Sequence, residues 1–178
     1  MKKAGYTLIE LLIAILLLAV ILLGGTSLFY RNLRSSGLGD VDLGLNTALR
    51  LVLSVIERDI RYGTVKSVGA GVRADCLTSG STGYIGDTLS ITDLQGLGTT
   101  YSLETGKIAS TAADTGVKAY LSPASVTITA LSFTWYCQSG VSDKIKIDID
   151  ATSNVLGSGI DITRNVSREV NLLNSGIN

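Results

Sequence analysis

Few side chains in this sequence are equipped for chemistry, and their spacing sorts them quickly. Glu10 is a carboxylate within Ala4–Gly25, AGYTLIELLIAILLLAVILLGG, a run that is otherwise uncharged. A charge held in an apolar medium costs several kcal/mol by most measures, so Glu10 calls for a cationic partner or a route to water. Cys76 and Cys137 are the two cysteines, too far apart for a CxxC redox pair. Asp148-x-Asp150-x-Thr152-x-Asn154 has the alternating oxygen donors of a calcium loop. It lacks the glycine an EF-hand needs at its sixth position, where Ser153 stands, and the later bidentate glutamate. Asp148, Asp150 and Asn154 are therefore weak calcium candidates, and solvated carboxylates on a strand are the simpler reading. Gly69-Ala70-Gly71 is followed by no Gly-Lys-Ser/Thr, so it makes no phosphate loop. Trp135 and Tyr136 could stack on a ligand, but a core or cross-strand role accounts for them equally well.

The sequence has no histidine, which removes histidine-based triads, histidine-ligated zinc and histidine pH switching together. No catalytic constellation remains, so neither an enzyme nor a bound cofactor is expected. Lys+Arg and Asp+Glu both number 15, and a formal charge of zero gives no basic excess for a nucleic-acid partner.

The elements that must position Glu10 begin with the apolar run itself. Leu11 to Tyr30 holds no charge, about the 20 residues a helix needs to cross a ~30 Å hydrocarbon layer. Lys2 and Lys3 precede it, which places the N-terminus in the cytoplasm. Arg31 and Arg34 oppose that orientation, but long domains translocate largely regardless of flanking charge. A cleaved secretory signal is the alternative. Its apolar core is usually shorter and ends at a small-x-small site, which is not evident here. Glu10 also stands where such a core would begin.

Beyond Arg31, Gly37, Gly39 and Gly44 are expected to loosen any helix. Leu45, Leu49, Val52, Leu53, Ile56 and Ile60 then fall on one face of a 3.6-residue period, with Glu57–Arg61 as an i,i+4 pair and Gly63 as the stop. From Thr64 the period becomes two. Strands are expected at Thr64–Val72, Thr88–Thr92, Thr100–Glu104, Lys118–Leu121, Val126–Tyr136 and Lys144–Ile149, separated by glycine-rich turns. One long helix followed by antiparallel strands is an α+β arrangement. In the exported compartment that this topology implies, a Cys76–Cys137 disulfide is the default, with two buried free thiols as the alternative.

The stretch GYTLIELL resembles the processing site of type IV prepilins and pseudopilins, with Gly, Thr, Leu and Glu at the family's spacing. Tyr6 stands where most members have phenylalanine. The resemblance implies cleavage after Gly5 by a prepilin peptidase and N-methylation of Tyr6. It further implies that Glu10 pairs with the Tyr6 amine of a neighbouring subunit during assembly; a glutamate snorkelling to the membrane surface is the alternative. IERDIRYG and VTITALSFTWYC are similar to stretches of J-type pseudopilins and W-type minor pilins. VSREVNLLN is similar to their final strand, with Leu173 where arginine is usual. Gly24–Gly25 lies where members often carry a proline, and could serve as a flexible point.

The expected organisation is a leader at 1–5, a transmembrane and polymerisation helix at 6–30, the amphipathic second half of a spine helix at 31–63, and an exported β-rich domain at 64–178. The expected function is a minor subunit of a type IV pilus-like filament. A type II secretion pseudopilin, or an anchored binding domain that never polymerises, are the alternatives. Expected partners are other pilin-like subunits, the prepilin peptidase, the inner-membrane assembly platform and membrane lipid. The final location would be an extracellular or periplasmic filament.

Overall fold

The computed structural model describes residues 7–155 and 159–173, and for residues 31–35 the backbone alone. The chain has about 38% helix and 40% strand, an α+β composition. It divides into two compact units, 1–40 and 41–178.

Helix α1 is Leu8–Tyr62. In the first unit its residues Leu8–Tyr30 have a mean hydropathy of 2.9, and none is buried by the rest of the chain. A helix this long and apolar can cross a membrane, and lipid would cover what the protein leaves bare. Gly24 and Gly25 do not interrupt it. Around them Thr26 donates to the Leu22 carbonyl at 2.9 Å and Ser27 to the Gly24 carbonyl at 3.0 Å, so both hydroxyls are satisfied within the helix. Gly37 and Gly39 are helical too, against the expectation of a loosened segment. Each glycine costs about 1 kcal/mol relative to alanine, whereas breaking the helix would require a second costly nucleation.

In the second unit, residues 41–62 of α1 bury Leu45, Leu49, Val52, Leu53, Ile56 and Ile60, the face that the periodicity marks. That burial holds Gly44 helical. Among the described residues nine strands follow, in two antiparallel sheets. One has the order β1 (Thr64–Val68), β3 (Leu89–Thr92), β4 (Gly98–Glu104), β5 (Lys107–Ala112), β6 (Lys118–Tyr120). The other has the order β2 (Tyr84–Gly86), β7 (Thr127–Tyr136), β8 (Lys144–Val155), β9 (Ile160–Asn171). A short helix, α2 (Arg73–Ser79), lies between β1 and β2. Leu89, Ile91 and Tyr101 from the first sheet and Phe133, Trp135, Ile145, Ile147 and Ile149 from the second join the helix face in one core.

The strand boundaries shift in instructive ways. β1 ends at Val68 because Gly69 turns to φ +55°, and Val68 then bridges back to Gly71. β8 runs on to Val155, paired along its whole length with β9. β5 is unexpected from its small residues, KIASTA. It is set by the two-residue turn Thr105–Gly106, both at positive φ (+49° and +73°), which closes a tight hairpin with Glu104 opposite Lys107.

Gly63 does stop α1, but for a packing reason. A Cβ there would lie 2.4 Å from Ile91 Cγ2 and 2.6 Å from the Asp59 carbonyl oxygen. The second contact is with backbone and cannot rotate away. Gly63→Ala is therefore expected to cost about 1–3 kcal/mol, as overpacked cores do. The check is the melting temperature of the extracted chain, and an unchanged value would contradict the packing argument.

Candidate assembly and anchoring site

Glu10 lies in the first turn of α1. The Thr7 carbonyl accepts the N–H groups of Glu10 and Leu11 at 3.1 and 3.2 Å, so Thr7 stands at the helix cap. Thr7-x-x-Glu10 is the spacing of a capping box, in which the glutamate reaches back to the cap residue. A carboxylate there is also favoured by the positive end of the helix dipole, typically by 0.3–1 kcal/mol. The Thr-x-x-Glu spacing is the sequence signal that marks Thr7 as the cap. Glu10 is exposed, as are Leu8, Ile9, Leu11 and Leu12 around it, and the sequence has no lysine or arginine between Leu8 and Tyr30. Leu8–Tyr30 thus presents one carboxylate on a bare apolar helix. Gly5 and Tyr6, the expected processing site, lie outside the described residues.

In the second unit, ion pairs tie α1 to the sheets. Arg164 on β9 makes two 2.7 Å hydrogen bonds to the Asp42 carboxylate, holding that carboxyl below the usual aspartate range. Arg168 Nε donates to Glu57 at 2.7 Å, so Glu57 turns to β9 rather than to Arg61. The Leu173 N–H donates to the Arg61 carbonyl at 3.4 Å. Tyr101, 1% exposed, donates its hydroxyl to Asp59 at 2.5 Å. Burial first, and the Asp59 carboxylate second, push its phenol well above the ordinary tyrosine range. The IERDIRYG stretch therefore works as a clamp, in which Glu57, Asp59 and the Arg61 backbone each meet a different partner.

A second set of contacts anchors α2. Cys76 on α2 is disulfide-bonded to Cys137 just after β7, with Cα atoms 5.6 Å apart. Arg73 Nε and Nη2 reach the Asp143 carboxylate at 2.9 and 3.2 Å. Asp143 is buried while Arg73 keeps about a third of its side chain in solvent, and the hydrogen bonds to Asp143 raise the Arg73 pKa. Asp75 accepts the Val72 N–H at 2.9 Å and completes one half of a cap. The arginine–aspartate pair had no local sequence signal, since its members are 70 positions apart.

Asp148, Asp150 and Asn154 are all on β8, not in a loop. Lys146 pairs with Asp148 at 3.0 Å, Asn165 donates to Asp150, and Asn154 donates to Asp161 at 2.8 Å. At about 3.4 Å per residue the strand spreads the three over roughly 20 Å, so they do not converge on one ion. Among the described residues no group of three or more histidine, cysteine or acidic side chains could hold a metal. Trp135 is a core residue, and Tyr136 lies under the Lys144 ammonium at 5.0 Å from the ring centroid.

No curated protein and no solved structure matches the chain. A family model described as the prokaryotic N-terminal methylation motif matches residues 1–26. The match spans the GYTLIELL stretch and most of the bare helix that carries Glu10. Residues 1–26 are thus similar to the prokaryotic N-terminal methylation motif, the class III leader of type IV pilins, and are continued by the apolar first part of α1.

Proposed function

We propose that the chain is a minor subunit of a type IV pilus-like filament. It is stored in the inner membrane through residues 6–30, with residues 64–178 exported. Prepilin peptidase cuts after Gly5 and N-methylates Tyr6, and the assembly platform then draws the subunit into a filament. The observation that carries this reading is the methylation motif on a fully exposed apolar helix whose one charge is Glu10. An exposed apolar helix is at rest in lipid or against copies of itself, and the carboxylate selects between registers. A register that leaves it unpaired is penalised, and one that brings a neighbour's Tyr6 amine to it is not. The IERDIRYG and VTITALSFTWYC stretches, similar to J-type pseudopilins as well as W-type minor pilins, fit a second reading equally, a type II secretion pseudopilin.

The test is to express the chain with the assembly machinery, shear the cells and assay the sheared fraction. Recovery of the shortened subunit in filaments supports the proposal. A chain found only in membranes at full length would instead be an anchored binding domain that does not polymerise.

A further inference from the structure

Between α2 and the segment joining β7 to β8 lies a cavity of about 850 Å³, within the size range of small-molecule sites. Tyr136, Gln138, Ser142 and Asn171 supply phenol, amide and hydroxyl groups to it, and Leu77 and Val141 supply apolar surface that is 40% and 51% exposed. Lys144 is the one charged residue among the described lining residues. Its ammonium is already committed, with Glu169 at 2.8 Å and the Tyr136 ring beneath it. Nearby, Arg73 and Asp143 neutralise each other. An anion would have to displace Glu169, and a cation meets no open carboxylate in the lining.

What remains is a neutral lining rich in groups that both donate and accept hydrogen bonds, beside exposed apolar surface. That combination suits a ligand with several hydroxyls on one side and C–H groups on the other. We propose that this cavity is a binding site for a neutral saccharide, a chemistry beyond the filament role. Cys137 is itself part of the lining, and its bond to Cys76 fixes α2 to the end of β7. The walls are thereby held before the ligand arrives, which lowers the ordering cost of binding.

The test uses the full chain extracted in a zwitterionic detergent without sugar headgroups. The probes are methyl glycosides of glucose, galactose and N-acetylglucosamine and their disaccharides, read by saturation-transfer NMR. At least one is expected to bind, and Gln138→Leu and Asn171→Leu are each expected to weaken it tenfold or more with the melting temperature unchanged. Absence of transfer from every glycoside would overturn the proposal. So would undiminished binding by both variants, or displacement of the sugar by inorganic phosphate, which would mark an anion site.

Discussion

Glu10→Leu is expected to leave the chain in the membrane and to remove it from filaments. The substitution takes a costly charge out of an apolar helix, so insertion should be at least as efficient as in the parent. Cleavage after Gly5 should be largely kept, because the resemblance makes the glycine the peptidase's main requirement. On the proposed pairing, what is lost in an assembling filament is the partner of the neighbouring Tyr6 amine. Breaking a buried pair by removing one member typically costs about 3–5 kcal/mol. At about 1.4 kcal/mol per factor of ten, incorporation should fall about a hundredfold or more. Glu10→Gln keeps the shape and an acceptor oxygen, and should give a milder form of the same defect. The measurement compares cleaved monomer in membranes with subunit in sheared filaments for the parent and both variants. Undiminished entry of Glu10→Leu into filaments would show that Glu10 does not direct docking.

The second large effect concerns the disulfide. Cys137→Ser is expected to destabilise the second unit, residues 41–178, by about 4 kcal/mol, the chain-entropy value for a loop of this length. Against a typical domain stability of 5–15 kcal/mol this is a large share, and the melting temperature should fall by roughly 10 °C or more. Arg73–Asp143 remains as the other anchor of α2, so the unit should still fold at low temperature. Membrane insertion should be unaffected, because Leu8–Tyr30 and the two cysteines belong to different compact units. Melting the parent with and without reductant gives an independent reading. Equal melting temperatures under both conditions would refute the stapling role.

Local periodicity made part of this fold legible. The face from Leu45 to Ile60 and the alternation of Ile145, Ile147 and Ile149 could be read directly, because burial on one side imposes a repeat on the residues. The bare helix was legible for a related reason, since an apolar run of this length reads as a membrane-spanning helix. Gly37, Gly39 and Gly44 misled, because a propensity cost of about 1 kcal/mol each is small against an intact helix. β5 was missed because KIASTA has little strand preference of its own and depends on the turn at Thr105–Gly106. The long-range pairs were illegible in principle. Asp42 meets Arg164 across 122 positions and Asp59 meets Tyr101 across 42, and only the folded chain brings them together. The same holds for the calcium-like spacing at Asp148, where a continued strand separates what a loop would have gathered.

The intact mass of the chain extracted from membranes of cells that contain prepilin peptidase tests the central claim most directly. The account predicts a mature protein that begins with N-methylated Tyr6 and has lost MKKAG, and with it Lys2 and Lys3. A chain that retains Met1, or one cut near Thr26 as a secretory signal would be, would contradict it.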